Sequence, residues 1–159
     1  MYIDAQQLFS DAQAVTTDAV GTNVISLSVA RSIGNGEPMG VVFVVDVAAD
    51  QTTGDEDYTF DVEYATDAAQ TTGRQLVGRR VFESGTPTAP AQNADLLVAG
   101  FKFVVPVPPT QSDEDEIYLG IRYDTLGTTP TITCTAYLAP MSMIETADGV
   151  NYAAGYSIT

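Results

Sequence analysis

Histidine and tryptophan are absent from the 159 residues, and cysteine and lysine occur once each, as Cys134 and Lys102. Each absence removes chemistry. Without histidine the chain lacks the commonest general base, the usual partner of a serine or cysteine nucleophile, and the commonest transition-metal ligand. A lone cysteine permits neither an intrachain disulfide nor a cysteine metal cluster. Basic residues are nearly as scarce: 6 against 21 acidic ones, for a formal net charge of −15. No basic stripe exists to neutralise phosphates, so nucleic acid is set aside as a partner. An anionic membrane surface is disfavoured for the same reason, and no apolar run approaches the roughly 18–20 residues that span a bilayer. No basic segment followed by an apolar run opens the chain, so no secretory signal is expected, and the protein is expected to fold in a reducing cytoplasm.

What is present describes a folded β protein. Hydrophobic residues make up 45 % and charged residues 17 %, a balance that belongs to a globular chain rather than a disordered one. Period-2 alternation dominates. In Asp57–Tyr64 the residues Tyr58, Phe60, Val62 and Tyr64 alternate with Asp57, Thr59, Asp61 and Glu63, as in a strand with one buried face and one wet face. Ile117, Leu119, Ile121 and Tyr123 repeat the pattern, as do Ile132, Cys134, Ala136 and Leu138, and Phe101, Phe103 and Val105. Residues 23–29 and 74–82 are read as further strands. Gly40–Val47 is apolar on both faces, which predicts a central strand lying under a loop or against another chain. Gly- and Pro-rich turns separate these runs, and no amphipathic period of 3.6 competes. The chain is therefore expected to be all-β: a single-domain jelly roll or two-sheet β-sandwich.

Both ends differ from this middle. Residues 1–22 are rich in Ala, Gln, Thr and Asp, and the chain beyond Pro140 is dotted with Gly, Met and Tyr. The expected division is an N-terminal arm over 1–22, a β-sandwich over 23–140 and a C-terminal arm over 141–159. Such arms order against a partner. The candidate interface residues follow: Ile3, Leu8 and Phe9 in the first arm, Met141, Met143, Tyr152 and Tyr156 in the second. Val42 and Val44 join them from the doubly apolar strand. Arg31, Arg79 and Arg80 are added because guanidinium forks suit interface carboxylates.

No catalytic site is expected. The chain holds no G-x-S-x-G elbow and no P-loop pattern, and Gly34-Asn35-Gly36 is a turn broken by Pro38. Cys134 falls on the apolar face of its strand, as a small hydrophobe. The acidic clusters Asp50 with Asp55–Asp57, and Asp113–Glu116, lack EF-hand spacing and read as solvated loops, so no metal and no cofactor are expected. A carboxylate-only glycoside hydrolase would survive the lack of histidine, but no tryptophan and no inward acidic pair support a sugar groove.

One resemblance bears on function. Ile3-Asp4-Ala5-Gln6, Leu8, Ser10–Thr16, Thr22–Ile25 and Ala30–Met39 resemble the opening of the Bbp16-like family of small capsid cement proteins of tailed bacteriophages. The likeness returns at Gly100–Pro109, Tyr118–Tyr123 and Thr131–Leu138. It implies a jelly-roll subunit on the outer surface of a virion head, bound to the major capsid protein of an HK97-type shell across capsomer junctions. The role it implies is mechanical, with no reaction performed. A homo-oligomer is implied, a two-fold dimer in preference to a trimer. The alternative function is a carbohydrate- or receptor-binding β-sandwich of the virion.

Overall fold

The structure is a computed structural model that describes residues 5–27, 37–84, 94–108 and 118–144. Among these residues the strands are β1 (Leu8–Val15), β2 (Ala19–Val20), β3 (Ile25–Ser26), β4 (Met39–Val47), β5 (Asp57–Ala65), β6 (Gln75–Glu83), β7 (Lys102–Val107), β8 (Tyr118–Leu126) and β9 (Ile132–Pro140). All pairings are antiparallel and form two sheets. One runs β1-β9-β4-β7; the other runs β2-β8-β5-β6, with β3 also paired to β8. β2 and β3 are two pieces of one edge. Between them Gly21 donates its N–H to Ile121 O, while Asn23 donates to Phe9 O in the opposite sheet. Counting that edge as one strand, the chain crosses from sheet to sheet in the order of an eight-stranded jelly roll. The all-β sandwich read from the sequence is the observed fold.

The inner faces are those the alternation picked out. Tyr58, Phe60, Val62 and Tyr64 of β5 face Val41, Phe43 and Val45 of β4 in one core with Phe103, Tyr123, Ile132 and Cys134. Its centre is aromatic. Phe43 stacks on Phe103 at 5.1 Å between centroids, and Phe60 meets Phe43, Phe103, Tyr123 and Phe82 edge-on at 4.9–5.8 Å. These are the offset and edge geometries that ring quadrupoles favour. Burial pushes the Cys134 thiol up to about 12, so it stays protonated and inert.

The expected N-terminal arm is corrected over residues 8–20. Leu8–Val15 is an edge strand hydrogen-bonded to β9, and Ala19–Val20 pairs with β8. Phe9, expected at a partner interface, is fully buried in the core, as is Val15. Leu8–Val15 carries no period-2 signal because two register shifts interrupt it, between Leu8 and Ser10 and between Ser10 and Gln13, with Ala12 at φ 43°. A bulge lets consecutive side chains turn inward. Ser10 follows Phe9 inside and its Oγ meets the Tyr123 hydroxyl at 2.7 Å. Phe9→Ala is expected to cost about 3–5 kcal/mol in chemical denaturation, as for other buried phenylalanines. A loss under about 1 kcal/mol would return β1 to the status of an arm.

Carboxylates hold the loops at one end of the sandwich. Glu56 is buried and accepts the N–H groups of Thr53, Gly54 and Asp55 at 2.9–3.1 Å, together with the hydroxyls of Thr53 and Ser84. Asp55 accepts Thr128 N and Oγ1, tying the β8–β9 loop to the β4–β5 loop. Burial alone would raise the Glu56 pKa, but the hydrogen bonds from Thr53, from the loop backbone and from Ser84 outweigh it and hold it at about 2 instead of 4.5. A depressed pKa stabilises the fold above the unfolded value. The contribution is present above pH about 4.5 and is lost as pH falls toward 2. Glu56→Gln is expected to lower the melting temperature at pH 7 by roughly 3–8 °C and to shrink the difference between melts at pH 7 and pH 3. An unchanged difference would contradict the assignment.

Candidate partner interface

The two outer faces of the sandwich have opposite chemistry. On the β2-β8-β5-β6 sheet the register sets Arg122, Asp61 and Arg79 side by side across three strands. Arg79 grips Asp61 with two hydrogen bonds of 2.7 and 2.6 Å, and Arg74 grips Glu63 with two of 2.9 and 2.5 Å. Arg122 reaches Glu63 at 3.5 Å and donates to Gln70 O at 2.9 Å. The bond from Glu63 holds the Arg74 guanidinium further above its ordinary pKa.

This face departs from the alternation. Asp61 and Glu63 lie on the side expected to be wet, yet their exposures are 0 % and 3 %. The arginines cover them, and so does the loop after β5. Asp67 organises that loop by accepting the N–H and hydroxyl groups of Thr71 and Thr72, which holds its pKa at about 2. The loop lays the Gln70 side chain across Gly120, where a Cβ would fall 2.6 Å from Gln70 Cδ. Neither polar atom of that carboxamide finds a hydrogen-bond partner among the described residues.

The outer face of the β1-β9-β4-β7 sheet is apolar. Leu8, Tyr137, Val42 and Val104 stand in one row across all four strands, and Thr135, Val44 and Lys102 form the next. Gly40 lies between Ala139 and Pro106, and a Cβ there would meet Val104 Cγ1 at 2.6 Å and Met141 Sδ at 2.8 Å. The turn at Met141–Met143 therefore sits against this face, anchored by Met141 N to Pro38 O at 2.8 Å. The doubly apolar Gly40–Val47 run is explained: β4 is central in its sheet, its inner side is core, and its outer side carries this strip. Beyond the strip, residues 94–101 run beside the end of β4, with Ala49 N bonded to Leu97 O and Gly100 N to Val45 O. There Val47, Leu96 and Val98 are 59 %, 45 % and 54 % exposed.

Of the residues selected from sequence, the structure gathers Leu8, Val44 and Met141 on this apolar face, with Met143 in the adjoining turn; Val42 stands in the same row but is buried at 1 % exposure, so the expectation that it meets a partner is corrected. Arg79 and Arg80 lie apart on β6, Arg79 paired with Asp61 and Arg80 over the Phe82 ring at 5.8 Å. Phe9 is core. Ile3, Arg31, Tyr152 and Tyr156 lie outside the described residues. Sequence reasoning missed Tyr137 and Val104, although both are the off-face members of strands whose inner faces it had found. Nothing in local pattern marks Val47, Leu96 and Val98, whose exposure depends on how the 94–101 segment packs.

Removing one partner of a buried ion pair strands the other, whereas an exposed charge contributes little. Arg79 is half exposed and Asp61 is not. Arg79→Leu is therefore expected to cost about 1–3 kcal/mol in urea unfolding, against under about 0.5 kcal/mol for Arg80→Ala. Equal losses would show that Asp61 does not depend on its guanidinium.

Comparison with known sequences places the fold in a family. No curated protein matches the chain. The sequence model of the Bbp16 family matches residues 9–139, which begins one residue into β1 and ends one residue before the close of β9. The matched span is thus the whole jelly roll with both its ionic and its apolar outer face, and the chain belongs to the phage-associated Bbp16 family.

Proposed function

We propose that the protein is a capsid cement protein of a tailed bacteriophage, bound to the outer surface of an HK97-type shell and stabilising contacts between capsomers as a homo-oligomer. The observation that carries this reading is the family match across the entire sandwich. The resemblance of its opening and closing segments to cement proteins supplies the role. The architecture agrees with a mechanical task. The hydrogen-bonded carboxylates are engaged in holding loops, and the single thiol is buried and protonated. A clamp that touches several shell subunits gains stability by multivalent burial, and it stabilises the shell by binding the assembled state.

The acidic surface adds an electrostatic part to binding. Shell affinity is expected to weaken severalfold between about 50 and 500 mM NaCl, as screening shortens the Debye length. Co-sedimentation with purified shells measures it, and a flat salt response would remove the charge contribution. The reading itself is tested by the copy number of the protein in purified virions relative to the major shell protein. A ratio set by lattice symmetry, on the order of one per shell subunit, is expected. A few copies per particle would assign it to the tail and favour receptor or carbohydrate binding. Absence from the particle would overturn the virion role.

A further inference from the structure

We infer that the corner of the sandwich formed by the end of β4 and residues 94–101 is the foot that contacts the shell, and that the shell surface it meets is apolar at its centre and cationic around it. This rests on the proposed cement role and names the surface that carries it. Exposure singles out the corner. Val47, Leu96 and Val98 are 59 %, 45 % and 54 % exposed. They lie clear of the turn after β9, which packs at Gly40 near the other end of β4. Hydrogen bonds from Ala49 N to Leu97 O at 2.9 Å and from Gly100 N to Val45 O at 2.7 Å set Val47 beside Val98. Leu97 between them is fully buried, which turns Leu96 and Val98 outward on either side of it. An exposed apolar cluster of this kind, unlike scattered single residues, marks a contact surface.

The corner is braced before any partner arrives. Its hub is the loop between β4 and β5. Gln51 Nε2 donates to Ala94 O at 2.6 Å, Asp50 N to Thr131 O at 2.8 Å and Thr128 N to Asp55 Oδ1 at 3.1 Å. That loop is thereby tied to residues 94–97 and to the loop between β8 and β9. A preorganised surface has little conformational freedom left to lose on binding. Charge then identifies what covers it. Residues 46–57 and 94–101 hold six acids, Asp46, Asp50, Asp55, Glu56, Asp57 and Asp95, and no base. Asp50 and Asp55 accept hydrogen bonds from threonines, which leave their charge in place. Lys102 at the start of β7 offsets one of the six. A complementary surface therefore brings Lys or Arg to the rim and apolar side chains to the centre. A second copy of this chain brings −15 and the same acidic rim. One such small contact is weak, and a clamp that repeats it over several shell subunits gains by multivalency.

Co-sedimentation of the full chain with purified shells tests the foot. Val47→Ser combined with Val98→Ser is expected to weaken decoration about tenfold or more. Leu76→Ser, at a site 50 % exposed near the start of β6 and the far end of the sandwich, is expected to leave decoration unchanged. Ala99, exposed beside Val98, separates charge from bulk. Ala99→Lys is expected to weaken decoration about tenfold and to flatten its response to NaCl between about 50 and 500 mM. Ala99→Glu is expected to stay within about twofold of wild type at low salt and to steepen that response. These side chains are exposed, so the variants keep the fold, checked by circular dichroism and melting. Wild-type decoration by the double serine variant, equal weakening by Leu76→Ser, or equal weakening by Ala99→Lys and Ala99→Glu overturns the foot and leaves the cement reading standing. A double serine variant that alters sedimentation of the chain alone gives the corner to a second copy and overturns the shell contact. A wild type that does not decorate shells overturns the cement reading and the foot together.

Discussion

Everything in this molecule depends on the ring cluster that separates its two sheets. Phe43 and Phe103 stack from one sheet, and Phe60, Phe82 and Tyr123 meet them from the other at centroid distances of 4.9–6.2 Å. Stacked sheets pack about 10 Å apart, and rings are the side chains that fill such a gap with the fewest rotatable bonds. The cluster fixes β4 against β5, the central strands of their sheets. Their inner faces being occupied, the chemistry of each outer face is left free to differ.

They differ because charge is scarce on one side only. A chain with 21 acids and 6 bases cannot pair most of its carboxylates with cations, and the structure shows two solutions. On the β5 sheet three of the five arginines are spent on Asp61 and Glu63, which become buried ionic groups under a guanidinium cover. Elsewhere carboxylates turn to threonine hydroxyls and backbone N–H groups. Glu56, Asp55 and Asp67 each close a loop in this way. Hydrogen bonds to an ionised acceptor are stronger than neutral ones, so excess acid becomes the means of ordering loops. The cost surfaces at Gln70, whose carboxamide is buried by the Asp67 loop without a partner among the described residues.

The β4 sheet has almost no charge to manage. Its outer row runs from Leu8 to Val104 without an ionic group, and the turn after β9 lies against it because Gly40 leaves room for Met141. Such a face has a rigid frame behind it. The frame is a doubly hydrogen-bonded central strand, β4, flanked by β9 and β7 over most of its length.

Strand identity and the inner face of the fold were legible in the sequence wherever period-2 alternation was intact. Asp57–Tyr64, Phe101–Val105, Leu119–Tyr123 and Ile132–Leu138 fell where the pattern placed them, because a pleated strand that buries one face must alternate. Composition alone also set the charge imbalance that both outer faces answer. Tertiary structure decided the rest. β1 has no readable period, since its bulges turn Phe9 and Ser10 inward together, and only its ladder with β9 makes it a strand. Asp61 and Glu63 carry the signature of a wet face and are buried by arginines 11 to 59 residues distant. Leu8, Val42, Val104 and Tyr137 come from four separate strands and form one surface only through register, which hydrogen bonding across the sheet sets and local sequence does not record.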